Sequence, residues 1–147
     1  MADYDDRRRF APNVLEESLH EVVKRFEAIS GRKVRKSELP GESADDPNGF
    51  LSVDPGGTFR FEVRERGHPV AETVSENVED VLYAVMDEIV RAHAGSVALS
   101  NPAYESMRDT RRLWFPLWRR WMGELSSDWA TRTQEEIQRI LESYPFE

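Results

Sequence analysis

The chain has no cysteine among its 147 residues, so it offers no disulfide, no thiolate metal site and no cysteine nucleophile. It also lacks any run of roughly eighteen apolar residues, so nothing is expected to span a bilayer. The opening "MADYDDRRRF" carries charge of both signs and no apolar segment, unlike a secretory signal. A soluble, cytoplasmic protein is the expectation. Histidine is scarce, and His20, His68 and His93 show no HxxxH-type spacing, so no metal site is expected. No glycine-rich phosphate cradle and no nucleophile elbow are present. Asp87 and Glu88 are adjacent, so on a helix they point to different sides and cannot form a catalytic pair. The expectation is therefore a protein that is not an enzyme and needs no cofactor.

What is present is acid, unevenly spread. Asp and Glu total 28 against 20 Lys and Arg, a formal charge of −8. Residues 1–36 hold seven acids and nine bases, whereas residues 37–90 hold thirteen acids and three bases. Residues 91–147 hold eight of each. Such a balance argues against a dedicated binder of phosphate backbones, which needs a basic face.

The length suits one domain, 1–147, with a single core. Residues 1–12 read as a flexible charged arm. Asn13, with Glu16 three positions later, forms a capping-box pattern. Leu15, Leu19, Val22, Val23, Phe26 and Ile29 then recur at helical spacing up to Gly31. Residues 31–49 form a polar loop rich in Gly, Pro, Ser and Asp. From Phe50 the period becomes two: "FLSVD", the turn "DPGG", then "TFRFEVRER", with Phe59, Phe61 and Val63 alternating with Arg60, Glu62 and Arg64. "GHP" turns the chain into "VAETVS". Helices are predicted from about Asn77 to Ala94, from about Ala103 to Glu124 and from about Asp128 to Ser143, with "GSVALSNP" as the first break. The fold class is α+β: an N-terminal helix, a three-stranded antiparallel meander, and three C-terminal helices packed on one face of the sheet.

The stretch "RRLWFPLWRRWM" invites three readings. Arginines among flat rings can grip single-stranded nucleic acid, lie on a membrane, or flank a buried helical stripe. Trp114, Leu117, Trp118, Trp121, Met122 and Leu125 share one helical face, so the core reading is preferred, with neither nucleic acid nor membrane as partner. Pro116 should kink or break this helix near Trp114, at about 3 kcal/mol.

One polar cluster exceeds what solubility needs. Glu76, Glu79, Asp80, Tyr83 and Asp87 line the helix face opposite the apolar stripe. They are the candidate contact face for a basic partner protein, with Tyr83 as an exposed aromatic anchor and the acidic 37–49 loop as the next candidate.

The second half of the chain runs from "RERG" through "ETVSENVEDVLYAVMDEIV" and "YESMRDTRRLWF" to "LSSDWATRTQEEIQRILESYPF". Leu82–Tyr83, Tyr104–Glu105, Arg108, Arg111–Arg112, Phe115, Trp129, Glu136–Ile137, Ile140–Leu141 and Pro145–Phe146 stand out within it. On these residues it resembles the bacterial polymorphic-toxin immunity proteins, specifically the immunity protein 63 family. The resemblance implies a protein that binds a cognate toxin domain stoichiometrically and blocks it; a basic toxin such as a nuclease would suit the acidic face. The alternative is an acidic adaptor or regulatory binding module unrelated to toxins.

Overall fold

A computed structural model describes residues 2–41, 43 and 45–147, with side chains from Val14 onward apart from those two gaps. Its elements are α1 (Ala2–Ser30), β1 (Phe50–Val53), β2 (Phe59–Glu65), β3 (His68–Ser75), α2 (Val78–Leu99), α3 (Arg111–Leu125) and α4 (Ser127–Ser143). This is the α+β order read from the sequence: one helix, a three-stranded antiparallel sheet, three helices.

Helix α1 begins at Ala2, not at Asn13. Asn13 therefore lies within the helix rather than at its N-cap, and the side chains of the charged arm expected over 1–12 are outside the described residues. At the other end Gly31 stops the helix as expected: with φ of 70° it adopts the left-handed conformation and donates its N–H to the Glu27 carbonyl. The polar loop that follows contains one 3-10 turn, Lys36–Glu38.

The sheet runs β1-β2-β3, with Leu51 opposite Phe61 and Phe61 opposite Thr73. The β2–β3 hairpin turns at Arg66–Gly67, both at positive φ, as a two-residue turn requires. His68 and Pro69, read from sequence as part of the turn, belong instead to β3. Between β1 and β2, Gly57 takes the left-handed position of a three-residue loop and donates to the Asp54 carbonyl.

The chain divides into two compact units: Met1–Lys24 with Lys33–Met86, and Arg25–Arg32 with Asp87–Glu147. The first holds the sheet, most of α1 and the start of α2. Its buried side chains include Leu15, Leu19, Val22 and Val23 from α1, Phe61 from β2, and Val81, Leu82, Val85 and Met86 from α2. Gly49 is needed here: its φ is 89°, and a Cβ would stand 2.5 Å from the Phe61 ring.

The second unit is helical. Phe26 sets its ring edge-on to His93 and to Trp121, each at 5.4 Å. Arg25 donates to the carbonyl of Leu125, a terminal acceptor of α3. Helices α3 and α4 approach closely at Gly123, where a Cβ would stand 3.0 Å from that of Ala130.

Two further helix boundaries differ from expectation. Helix α2 continues through Gly95 to Leu99, because Val97 and Ala98 extend its half-buried and buried side. Helix α3 starts at Arg111 rather than near Ala103; residues 102–106 form turns. The later start places Pro116 in the second turn, and α3 is continuous through it, so the expected break near Trp114 is absent.

Candidate partner-binding face

The chain leaves the sheet and enters α2 through a tight polar junction. The Asn77 side chain accepts the Glu79 N–H at 3.0 Å, and its carbonyl accepts the Asp80 N–H at 3.2 Å, which caps the helix. The Ser75 hydroxyl accepts the Asn77 N–H at 3.0 Å and donates to the Asp80 carboxylate at 2.6 Å. Asp80 is thereby tied down and half-buried, while Glu76 and Glu79 stand exposed. Acids in the first turn also suit the positive end of the helix dipole.

The preceding strand extends this exposed run. Six of the eight residues of β3 are exposed, among them Val70, Glu72 and Val74. Glu72 sits directly opposite Glu62 on β2, a pairing that would repel without counter-charges. Each has its own arginine: Arg60 meets Glu72 at 3.0 Å and Asp54 at 3.1 Å, and Arg64 meets Glu62 at 3.0 Å. Glu62 is buried, contrary to the fully wet face expected for it.

The other two residues of the expected contact face are not on the surface. Tyr83 and Asp87 are each only 8% exposed, because α2 is buried on nearly all sides between Val81 and Val90. The exposed tyrosine anchor read from the sequence is thus corrected to a core residue. Asp87 belongs to an interior network. It accepts the Trp118 indole N–H at 2.8 Å and pairs with the Arg91 Nε at 3.1 Å. Arg91 also lies 4.1 Å over the Trp118 ring and reaches Glu136 on α4. Burial pushes the Asp87 carboxyl up to about 6, against the opposing pull of Arg91. A signal for this network was present in the sequence: Asp87 and Arg91 are four apart, and a buried indole needs an acceptor.

The arginine–tryptophan stretch is interior. Trp118, Trp121, Met122 and Leu125 are buried together with Phe115, while Trp114 and Leu117 are half-buried. The rings a base-stacking platform would need to expose are therefore mostly inside. Arg112, Arg119 and Arg120 face outward, as the helical period indicates.

The start of α3 clamps the tail. Asp109 receives the Arg111 guanidinium at 2.9 and 2.7 Å and the Glu147 N–H at 3.2 Å. Those bonds hold its carboxyl well below the usual range, the Arg111 side chain contributing most. Arg111 in turn donates to the carbonyls of Tyr144 at 2.7 Å and Pro145 at 2.9 Å, and Arg112 stacks 4.4 Å over Phe146. Arg111, Arg112, Phe115, Pro145 and Phe146, which carried the resemblance, thus meet in one place.

The histidines are not brought together. His20 and His68 are exposed, and His93 is buried, its Nδ1 accepting the Arg32 Nε–H at 2.7 Å. Among the described residues no group of three or more His, Asp or Glu side chains is arranged to hold a metal ion, and no helix is long and apolar enough to cross a membrane.

Searches of curated proteins and of solved structures found no match. A protein-family model does match: immunity protein 63, over residues 56–139, from the β1–β2 turn through most of α4. The matched stretch is more than half of the chain and contains β2, β3, α2 and α3 complete, so the chain belongs to the immunity protein 63 family.

Proposed function

We propose that the chain binds a cognate bacterial toxin domain in the cytoplasm and neutralises it stoichiometrically, with no chemistry of its own. Family membership carries this reading. The exposed acids Glu76 and Glu79, with Glu72 and the half-buried Asp80 beside them in sequence, support an electrostatic contact surface. Tyr83 and Asp87 are left out of that surface because they are buried. A basic toxin fits best, and a nuclease is the obvious class, since carboxylates can stand where its phosphates would bind. Complementary charge of this kind speeds encounter more than it deepens affinity.

The test is co-purification with the C-terminal domain encoded immediately upstream, at low and high salt. A one-to-one complex that weakens with salt is the expected result. Reversing Glu76→Lys and Glu79→Lys together should weaken it by roughly tenfold at low salt while leaving the circular dichroism spectrum unchanged. A folded double variant that binds as the parent does would move the surface elsewhere. No complex between two folded proteins would overturn the toxin-binding reading.

A further inference from the structure

Strand β3 is an edge of its sheet: β2 is its neighbour on one side and, among the described residues, no strand pairs with it on the other. Backbone groups at alternate residues of such an edge point away from the sheet and can template another strand. Natural proteins usually blunt such an edge with proline, a bulge or lysine. Here the first two of these devices sit at the hairpin end. Pro69 cannot donate a hydrogen bond, and the register jumps between Val63 and Arg64, whose partners are Ala71 and Pro69, leaving Val70 unpaired. From Ala71 to Ser75 the register is regular, the strand holds neither proline nor lysine, and Ala71, Glu72 and Val74 are exposed.

We propose that this open edge, residues 71–75, receives an extended basic strand of the bound protein, which adds to the sheet next to β3. The inference rests on the toxin-binding reading and specifies its geometry. Main-chain hydrogen bonds supply affinity in this mode, and side chains at alternate positions supply selection. Val74 offers an apolar contact at 45% exposure. The selection is electrostatic: Glu76 and Glu79 follow directly after the strand and stand exposed, and Glu72 on the strand shares Arg60 with Asp54, so arginine or lysine beside the incoming strand meets net opposite charge. The same acids disfavour a second copy of this chain. Antiparallel pairing of two β3 edges centred on Thr73 sets Glu72 of each copy opposite Val74 of the other, so two acidic edges meet with no lysine or arginine on either strand to supply opposite charge. A basic partner strand meets no such penalty.

Residue-resolved hydrogen exchange tests this directly, comparing the free chain with its complex with the upstream-encoded C-terminal domain. Alternate amides within residues 71–75 should slow by more than about tenfold on binding, while amides already bonded to β2 change little. Val74→Lys, an edge substitution of the kind that blocks strand addition, should weaken the complex by about tenfold or more, with the inner β2–β3 amides still protected. A complex that forms with unchanged exchange at all five residues overturns the edge-pairing inference and leaves the proposed function standing. Absence of any complex overturns both. Protection of the same amides in the free chain, together with a dimeric mass in solution, overturns the basic-strand assignment in favour of a second copy.

Discussion

Asp87 accepts a hydrogen bond from Trp118 and faces Arg91, yet burial outweighs both and lifts its carboxyl from the usual 3.8 to about 6. The folded chain therefore keeps this proton to a higher pH than the unfolded chain does. Its contribution to stability is full below the unfolded value, near 3.8, and is lost as pH rises through about 6. The shift of about two units corresponds to on the order of 3 kcal/mol. Asp87→Asn keeps an oxygen for the indole and removes the titration. Urea unfolding of the two proteins between pH 4 and 7.5 should show the parent losing stability relative to the variant by that order. Parallel pH profiles would mean that Asp87 is not strained by burial. The sequence placed Asp87 on a helix face but could not show that the opposite face was also covered. Such coverage depends on what packs there, and periodicity reports only one stripe at a time.

Helix α3 carries its proline in the second turn, where the ring leaves the Arg112 carbonyl without its intrahelical donor. Pro116 is exposed, so replacing it disturbs little packing. Pro116→Ala should restore that bond and raise stability by about 1–2 kcal/mol, partly offset by a freer unfolded chain. Thermal unfolding measures the change; a fall in Tm would mean the ring's own contacts matter more than the missing bond. Elements with a clear period were legible: β1, β2 and α4 lie where alternation and the helical stripe put them. The failures are at ends. Gly95 looked like a stop, yet it is an interior glycine of α2, tolerated because the residues after it are still partly buried. Residues 103–110 have helix-compatible composition but form turns and irregular backbone after Pro102. Edge status, which makes β3 a candidate docking strand, follows from pairing order and cannot be read from one strand's pattern.

At the scale of the whole chain, α1 and α2 each contribute residues to both compact units, and all four tryptophans lie in the second. If the chain is a single cooperative domain, damage in the first unit must register in the tryptophan signal. Gly49→Ala combines an unfavourable φ of 89° with a Cβ 2.5 Å from Phe61, all within the first unit. It is expected to cost on the order of 1–3 kcal/mol. Tryptophan fluorescence and far-ultraviolet circular dichroism should shift to the same lower midpoint; a fluorescence transition left in place would make the units independent domains. The tail clamp has a consequence for how the chain is made. Asp109 and Arg111 hold main-chain atoms of residues 144, 145 and 147, which are synthesised after both α3 and α4. A ribosome releases a protein from its N-terminal end onward. The clamp at the start of α3 can therefore close only once those residues have left the exit tunnel, well after α3 itself has been made.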